Sequence, residues 1–296
     1  MQSLLSKAFK WIVLAFTILF WGLAFTAIKY SIYFLNPIEL AAMRFLFADI
    51  FFALNILILK SKIDFKDLPQ FFILGLIGVP TYHVCLNFGE TYISSGVASL
   101  IISTAPIFVL LLSWLFLHES ITKGKIFGVF IAFFGIVILS EPESGNITGI
   151  LIVFVSAISA ALYTVFGKKL LEKYDSITLT NYAIILGSIP LLFVITPSTL
   201  EILISDINLI FSVLFLSIFS TYLGYQGWYY FLKKKEASKA SVFLLTIPPV
   251  SLIAGTVLLG EVITLKTILG SLAVIFGVAI TCLLYTSPSP RDLSTS

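Results

Sequence analysis

His83, Asn87 and Glu90 lie four and three residues apart in the third apolar stretch of this 296-residue chain, a spacing that puts them on one face of a helix. An imidazole, an amide and a carboxyl in one row can bind a polar solute or pass a proton. Tyr222, Gln226 and Tyr229 repeat the row 139 residues later (222 − 83 = 139). Two such rows facing each other would wall one cavity. Facing other helices, they would be interhelical hydrogen-bond sets, with Glu90 at the membrane surface. Tyr225 and Tyr230 fall on other faces of that helix. Ser99, Ser103 and Pro106 form a further stripe beside Thr104, and Ser241, Thr246 and Pro248 form its counterpart. A proline in a helix frees a carbonyl and bends the axis, which can shape a binding site. Small residues at the same places equally allow close packing. Trp21 and Tyr163 offer flat apolar contact or are core aromatics; with 28 Phe in the chain, an aromatic alone signals little.

Charges inside apolar stretches are expensive and need an explanation. Lys29 and Arg44, with Glu39 and Asp49 nearby, read either as pairing between the first two helices with Lys29 snorkelling, or as recruiters of an anionic group. Glu119 and Glu261 follow apolar runs and are expected to cap the helices that come after them. His83 and Glu90, titratable and on one face, are the candidates for proton coupling. Cys85 and Cys282 read as small core residues, without metal or disulfide spacing. No phosphate-binding glycine loop, metal cluster or nucleophile triad is present, so no cofactor and no ATP engine is implied.

The elements that must hold these residues are membrane helices. The chain is 59% hydrophobic and 11% charged, with a mean hydropathy of +1.07. A hydrocarbon core of about 30 Å needs about 20 apolar residues per crossing. Ten stretches approach that length, near 11–33, 37–59, 70–89, 94–117, 125–140, 147–167, 177–196, 207–231, 239–260 and 265–285. They are too long for barrel strands, and helices satisfy their own backbone in lipid. The first stretch is too long for a signal-peptide core and reads as a helix. Lysines fall in alternate connections: Lys7 and Lys10, Lys60 to Lys66, Lys123 and Lys125, Lys168 to Lys173, Lys233 to Lys239. That alternation predicts ten crossings with both termini cytoplasmic in the cell membrane. The net charge of +3 is therefore topological and implies no nucleic acid. The residues from Thr286, TSPSPRDLSTS, break from the helical composition and are expected to be disordered, outside the fold and not native to it.

The second half repeats the first. A shift of 142 superposes Pro106 on Pro248, Glu119 on Glu261, Thr122 on Thr264, Gly128 on Gly270 and Gly135 on Gly277. Five helices per half would make the halves, 1–140 and 147–285, inverted repeats, an arrangement common in secondary transporters with a site between the halves. Trp21, Gly22, Phe25, Ile28 and Lys29, then Asn36, Pro37, Arg44 and Phe45, and the duplicated Pro–Glu–Gly–Gly pattern resemble the EamA-type branch of the drug/metabolite transporter superfamily. The resemblance implies an all-α membrane carrier of ten helices, often an exporter of amino acids or other small metabolites. It also implies a cavity surrounded by the first, third, fourth, sixth, eighth and ninth helices. A nucleotide-sugar exchanger would want several basic cavity residues, and the polar faces here are mainly neutral. A membrane enzyme would need clustered acids or histidines, and His83 and His118 stand apart. A scaffold would leave the duplication without a reason.

Overall fold

Apolar sequence in lipid must close its backbone hydrogen bonds within each segment. A computed structural model of the chain describes residues 2–117, 123–139, 146–233 and 237–283, and among these it contains helices and no strand. His118, Glu119, Glu143, Lys234 and the tail from 286 lie outside the described residues. The helices are α1 (Gln2–Ser31), α2 (Pro37–Leu59), α3 (Leu68–Leu76), α4 (Tyr82–Tyr92), α5 (Ser95–Ile102), α6 (Ala105–Leu117), α7 (Lys123–Leu139) and α8 (Asn146–Leu170). They continue as α9 (Ser176–Leu192), α10 (Pro197–Ser205), α11 (Ile207–Phe215), α12 (Gly224–Lys233), α13 (Ala237–Ser241), α14 (Ile247–Leu259) and α15 (Leu265–Leu283).

Six helical runs are long and apolar enough to cross a bilayer: Phe9–Ser31, Pro37–Leu59, Phe65–Tyr92, Ser95–Leu117, Ile147–Leu170 and Ile207–Lys233. A seventh follows if α9 and α10, which meet at a 105° bend, count as one broken run. Ile126–Gly135, Phe243–Leu259 and Leu265–Ile280 are apolar but shorter. The stretch expected at 177–196 ends its helix at Leu192. Thr196, capping α10 through Thr199, and Pro197 at its first turn start a new axis there.

Local chemistry sets the helix ends. Asn36 accepts from the backbone of Ile38 and Glu39, and the Glu39 carboxylate accepts from Asn36 N, which closes a capping box on α2. Between α3 and α4 the chain makes a π segment, Ile77–Thr81, and between α11 and α12 another, Leu216–Leu223. Pro80 has no N–H to give the carbonyl of Leu76, and the Thr81 hydroxyl donates to that carbonyl at 2.9 Å instead. Thr221 does the same for Leu216 O at 2.8 Å, 140 residues later (221 − 81 = 140). The fourth and ninth apolar stretches are broken at matching places too, at Ser103–Thr104 and through a 3-10 turn, Val242–Thr246.

The most extensive helix pair is α7 against α15. A Cβ on Gly135 would meet Gly270 O at 2.8 Å, and one on Gly277 would meet Gly128 O at 2.6 Å. The two close approaches are reciprocal at the 142-residue shift, and only a residue without a side chain permits either. Large apolar side chains of these helices, such as Phe130, Phe134 and Phe276, point outward, as lipid-facing surface requires. Phe45, Phe52, Phe71 and Tyr229 are fully buried inside. At one end of the bundle Lys173 pairs with Asp64 and, at 2.7 Å, with Asp67.

Candidate functional site

The two π segments flank a cavity of about 80 Å³, room for several waters or one small group. Trp21 and Phe25 of α1, Arg44 of α2, Tyr82 and His83 of α4, Tyr163 and Thr164 of α8, and Tyr225 and Trp228 of α12 line it, with Gly78 and Ser220 from the π segments. Ile102 and Ala105 close it on one side and Leu244 and Ile247 on the other, each pair beside a helix break. These two pairs are related by the 142-residue shift.

The wall is built by cross-contacts between the halves. Trp21 Nε1 donates to Ser220 O at 2.9 Å. The Tyr163 ring lies against Gly78, where any side chain would collide with it. Both contacts obey one shift (163 − 21 = 142 and 220 − 78 = 142). His83 Nε2 is 3.0 Å from the Tyr225 hydroxyl, and its ring packs edge-on to Phe45 and Tyr82. Ser159 donates to Ile77 O at 2.5 Å and Ser156 to Tyr82 O at 2.9 Å, so α8 satisfies carbonyls of the bulged helix. Arg44, 3% exposed, donates through Nε to Thr221 Oγ1 at 2.6 Å and through Nη2 to Ser220 Oγ at 2.9 Å.

Of the residues singled out from sequence, Trp21, His83 and Tyr163 line this cavity. Asn87 instead donates to Pro37 O at 2.9 Å and fastens α4 to the start of α2. Glu90 is fully buried, and neither of its carboxyl oxygens has a hydrogen-bond partner. Tyr229 donates to Tyr163 O at 2.8 Å from within the core. Tyr222 and Gln226 line a separate groove beside α1, where Gln226 donates to Asn181 Oδ1 at 2.8 Å. The hydroxyls of Ser99, Ser103, Thr104, Ser241 and Thr246 all turn back to carbonyls three or four residues earlier. Pro106 and Pro248 are buried in the first turns of α6 and α14, just after the breaks.

Three expectations about charge need correction. Lys29 pairs with no carboxylate among the described residues: its Nζ donates to Glu90 O at 2.5 Å and Ile93 O at 2.9 Å, closing the end of α4. Arg44 pairs with neither Glu39 nor Asp49, since Asp49 accepts from Ser188 at 2.6 Å and Glu39 serves the α2 cap. Glu261 caps a helix, but of the other half. It accepts from Ser95 N at 2.8 Å and Ser95 Oγ at 2.7 Å, at the start of α5, where negative charge meets free N–H groups.

Sequence reasoning missed Tyr82, Tyr225 and Trp228 as cavity residues, while Arg44, offered there as a possible recruiter of an anionic group, does line the cavity. A π segment inserts one residue into the helical repeat and rotates everything after it. In the eighth apolar stretch that rotation brings Tyr225 to the cavity and takes Tyr222 and Gln226 to the neighbouring groove. Pro80 signalled the bulge in the third stretch, and the repeat alone could have signalled its partner.

Polar groups sunk in a cavity between apolar helices belong to a membrane carrier of small molecules. The chain belongs to the EamA-like transporter family, whose model matches residues 9–141 and again 147–283. It is 59% identical over 271 residues to an uncharacterized transporter of Archaeoglobus fulgidus, covering 92% of this chain and 98% of that one. It is 28% identical over 261 residues to a probable terminal-alkyne amino-acid exporter of Streptantibioticus cattleyicolor, covering 87% of each chain. A crystal structure with 14% sequence identity shares the fold over 97% of this chain and 99% of its own, at a TM-score of 0.67. The protein is thus a multi-pass membrane transporter acting on a small molecule.

Proposed function

We propose that the chain exports small metabolites across the cell membrane by alternating access, through the cavity between two inverted halves. The observation that carries this reading is the reciprocity of the cavity wall, in which Trp21 meets Ser220 and Tyr163 meets Gly78 at one shift. A site shared evenly by two related halves can be opened to one side by the first and to the other by the second. On this reading the shorter runs Ile126–Gly135, Phe243–Leu259 and Leu265–Ile280 are the fifth, ninth and tenth crossings, and lysine placement favours both termini in the cytoplasm. The match of the family model to each half agrees with a duplicated chain. The name of the Streptantibioticus relative points to amino acids as candidates, and which small metabolites the cavity takes is set by the charges on its wall. The remaining polar and proline positions of the fourth, eighth and ninth stretches act by shaping the helices that move. Uphill flux would draw on a proton through His83, in the cavity, or Glu90, buried beyond it.

Purified protein in proteoliposomes loaded with a mixture of amino and carboxylic acids tests this reading by counterflow of each labelled component. Saturable exchange of at least one component, increased by an imposed pH gradient, is expected. Protein-independent leakage of every component would overturn the carrier reading. Exchange indifferent to the gradient would leave a facilitator and remove the proton.

A further inference from the structure

Among the described residues, Arg44 is the one permanently charged side chain on the cavity wall. Its hydrogen-bond partners are the neutral hydroxyls of Ser220 and Thr221, and no carboxylate lies within ion-pair distance of it among the described residues. A buried cation calls for a counter-charge; the Glu90 carboxyl acts on Arg44 from beyond ion-pair distance and does not line the cavity, so the cavity side of the guanidinium meets no anion. The two hydroxyls fix the plane of the guanidinium and use Nε and Nη2. Two further polar atoms of the wall are buried and unsatisfied, Nδ1 of His83 and the hydroxyl of Tyr163, in side chains 2% and 3% exposed. The remainder is aromatic or aliphatic, with Trp21 and Trp228 packed together. Among the described residues no Asp or Glu lines the cavity to receive an ammonium group.

We infer, on the carrier reading above, that this cavity selects small organic monoanions: a carboxylate placed on Arg44 and an apolar body laid against the indole and phenol rings. A planar carboxylate matches the guanidinium fork, and the unsatisfied Tyr163 hydroxyl is a second donor for the same wall. The charge balance separates this class from zwitterions. A monoanion neutralises the buried cation, whereas an amino acid brings an ammonium that finds no acid on the wall and leaves the net charge in place.

Benzoate, phenylglycine and benzylamine share a ring and differ in charge. The test is thermal unfolding of the purified full chain with each at the same concentration and neutral pH, since a ligand of the folded state raises Tm by more the tighter it binds. Benzoate should raise Tm most, phenylglycine less and benzylamine not at all. R44Q should weaken the benzoate response by about tenfold or more, the size of a lost charged hydrogen bond, and R44K should keep part of it. If R44Q does not fold, the three-ligand series on the unaltered chain still decides. Equal or stronger stabilisation by phenylglycine or benzylamine, no response to benzoate, or an undiminished response in R44Q would overturn the inference. Should counterflow of some other solute persist alongside such a result, the carrier reading stands and the monoanion assignment alone fails.

Discussion

At the scale of residues, the site divides into side chains that face the cavity and side chains that hold its walls. His83 belongs to the first group, with one ring nitrogen on Tyr225 and the other free of partners. Gln226 belongs to the second, since its amide is committed to Asn181. The distinction is measurable. His83→Gln should reduce counterflow several-fold while the chain stays folded. Gln226→Leu should leave counterflow near its starting level and lower Tm, because Asn181 loses its partner, at a cost of about 0.6 kcal/mol. Flux and thermal unfolding of both variants check this, and a Q226L chain that is stable but inactive would move the solute path to the groove beside α1. From sequence alone these two residues look alike, each a polar side chain in an apolar run. Which one faces the cavity depends on helix rotation, and the rotation depends on the π segments.

Those segments are the decisive elements. In the first, a missing proline N–H leaves the carbonyl of Leu76 to the Thr81 hydroxyl. Pro80→Ala restores the donor and lets the segment relax toward an α-helix. The expected result is a higher Tm with reduced counterflow, because His83 would rotate from Tyr225. Unchanged flux would mean that the bulge does not set the site. The α7–α15 pair makes the opposite point about legibility. Gly128, Gly135, Gly270 and Gly277 stand out in the sequence as a repeat, and the structure gives the reason, two backbones crossing at reciprocal glycines. Helix existence was legible because lipid demands long apolar runs. The helix breaks carried only local signals, such as Pro80 and Pro197, inside otherwise apolar runs, and the partner of Glu261 was not legible because it rests on a contact between stretches far apart in the chain.

At the scale of the whole molecule, several of the contacts around the cavity join the first half to the second. Trp21 reaches Ser220, Arg44 reaches Thr221, His83 reaches Tyr225 and Glu261 reaches Ser95. On the proposed mechanism such a cavity is exposed by moving one half against the other, each side of the membrane being reached by releasing a different set of these contacts. Alternating access is therefore the central claim, and thiol accessibility at the cavity wall tests it most directly. In a chain lacking Cys85 and Cys282, a single cysteine would replace Thr164, a buried residue of that wall. Control cysteines would replace Lys62, Lys173 and Ser205 on the exposed connections. An impermeant thiol reagent would then be applied to intact cells and, separately, to inverted vesicles. The account predicts labelling of Thr164→Cys from both sides, of the Lys62 and Lys173 positions from the cytoplasmic side alone, and of the Ser205 position from the outside alone. Labelling of Thr164→Cys from a single side, or Ser205 reached from the same side as Lys62, would contradict it.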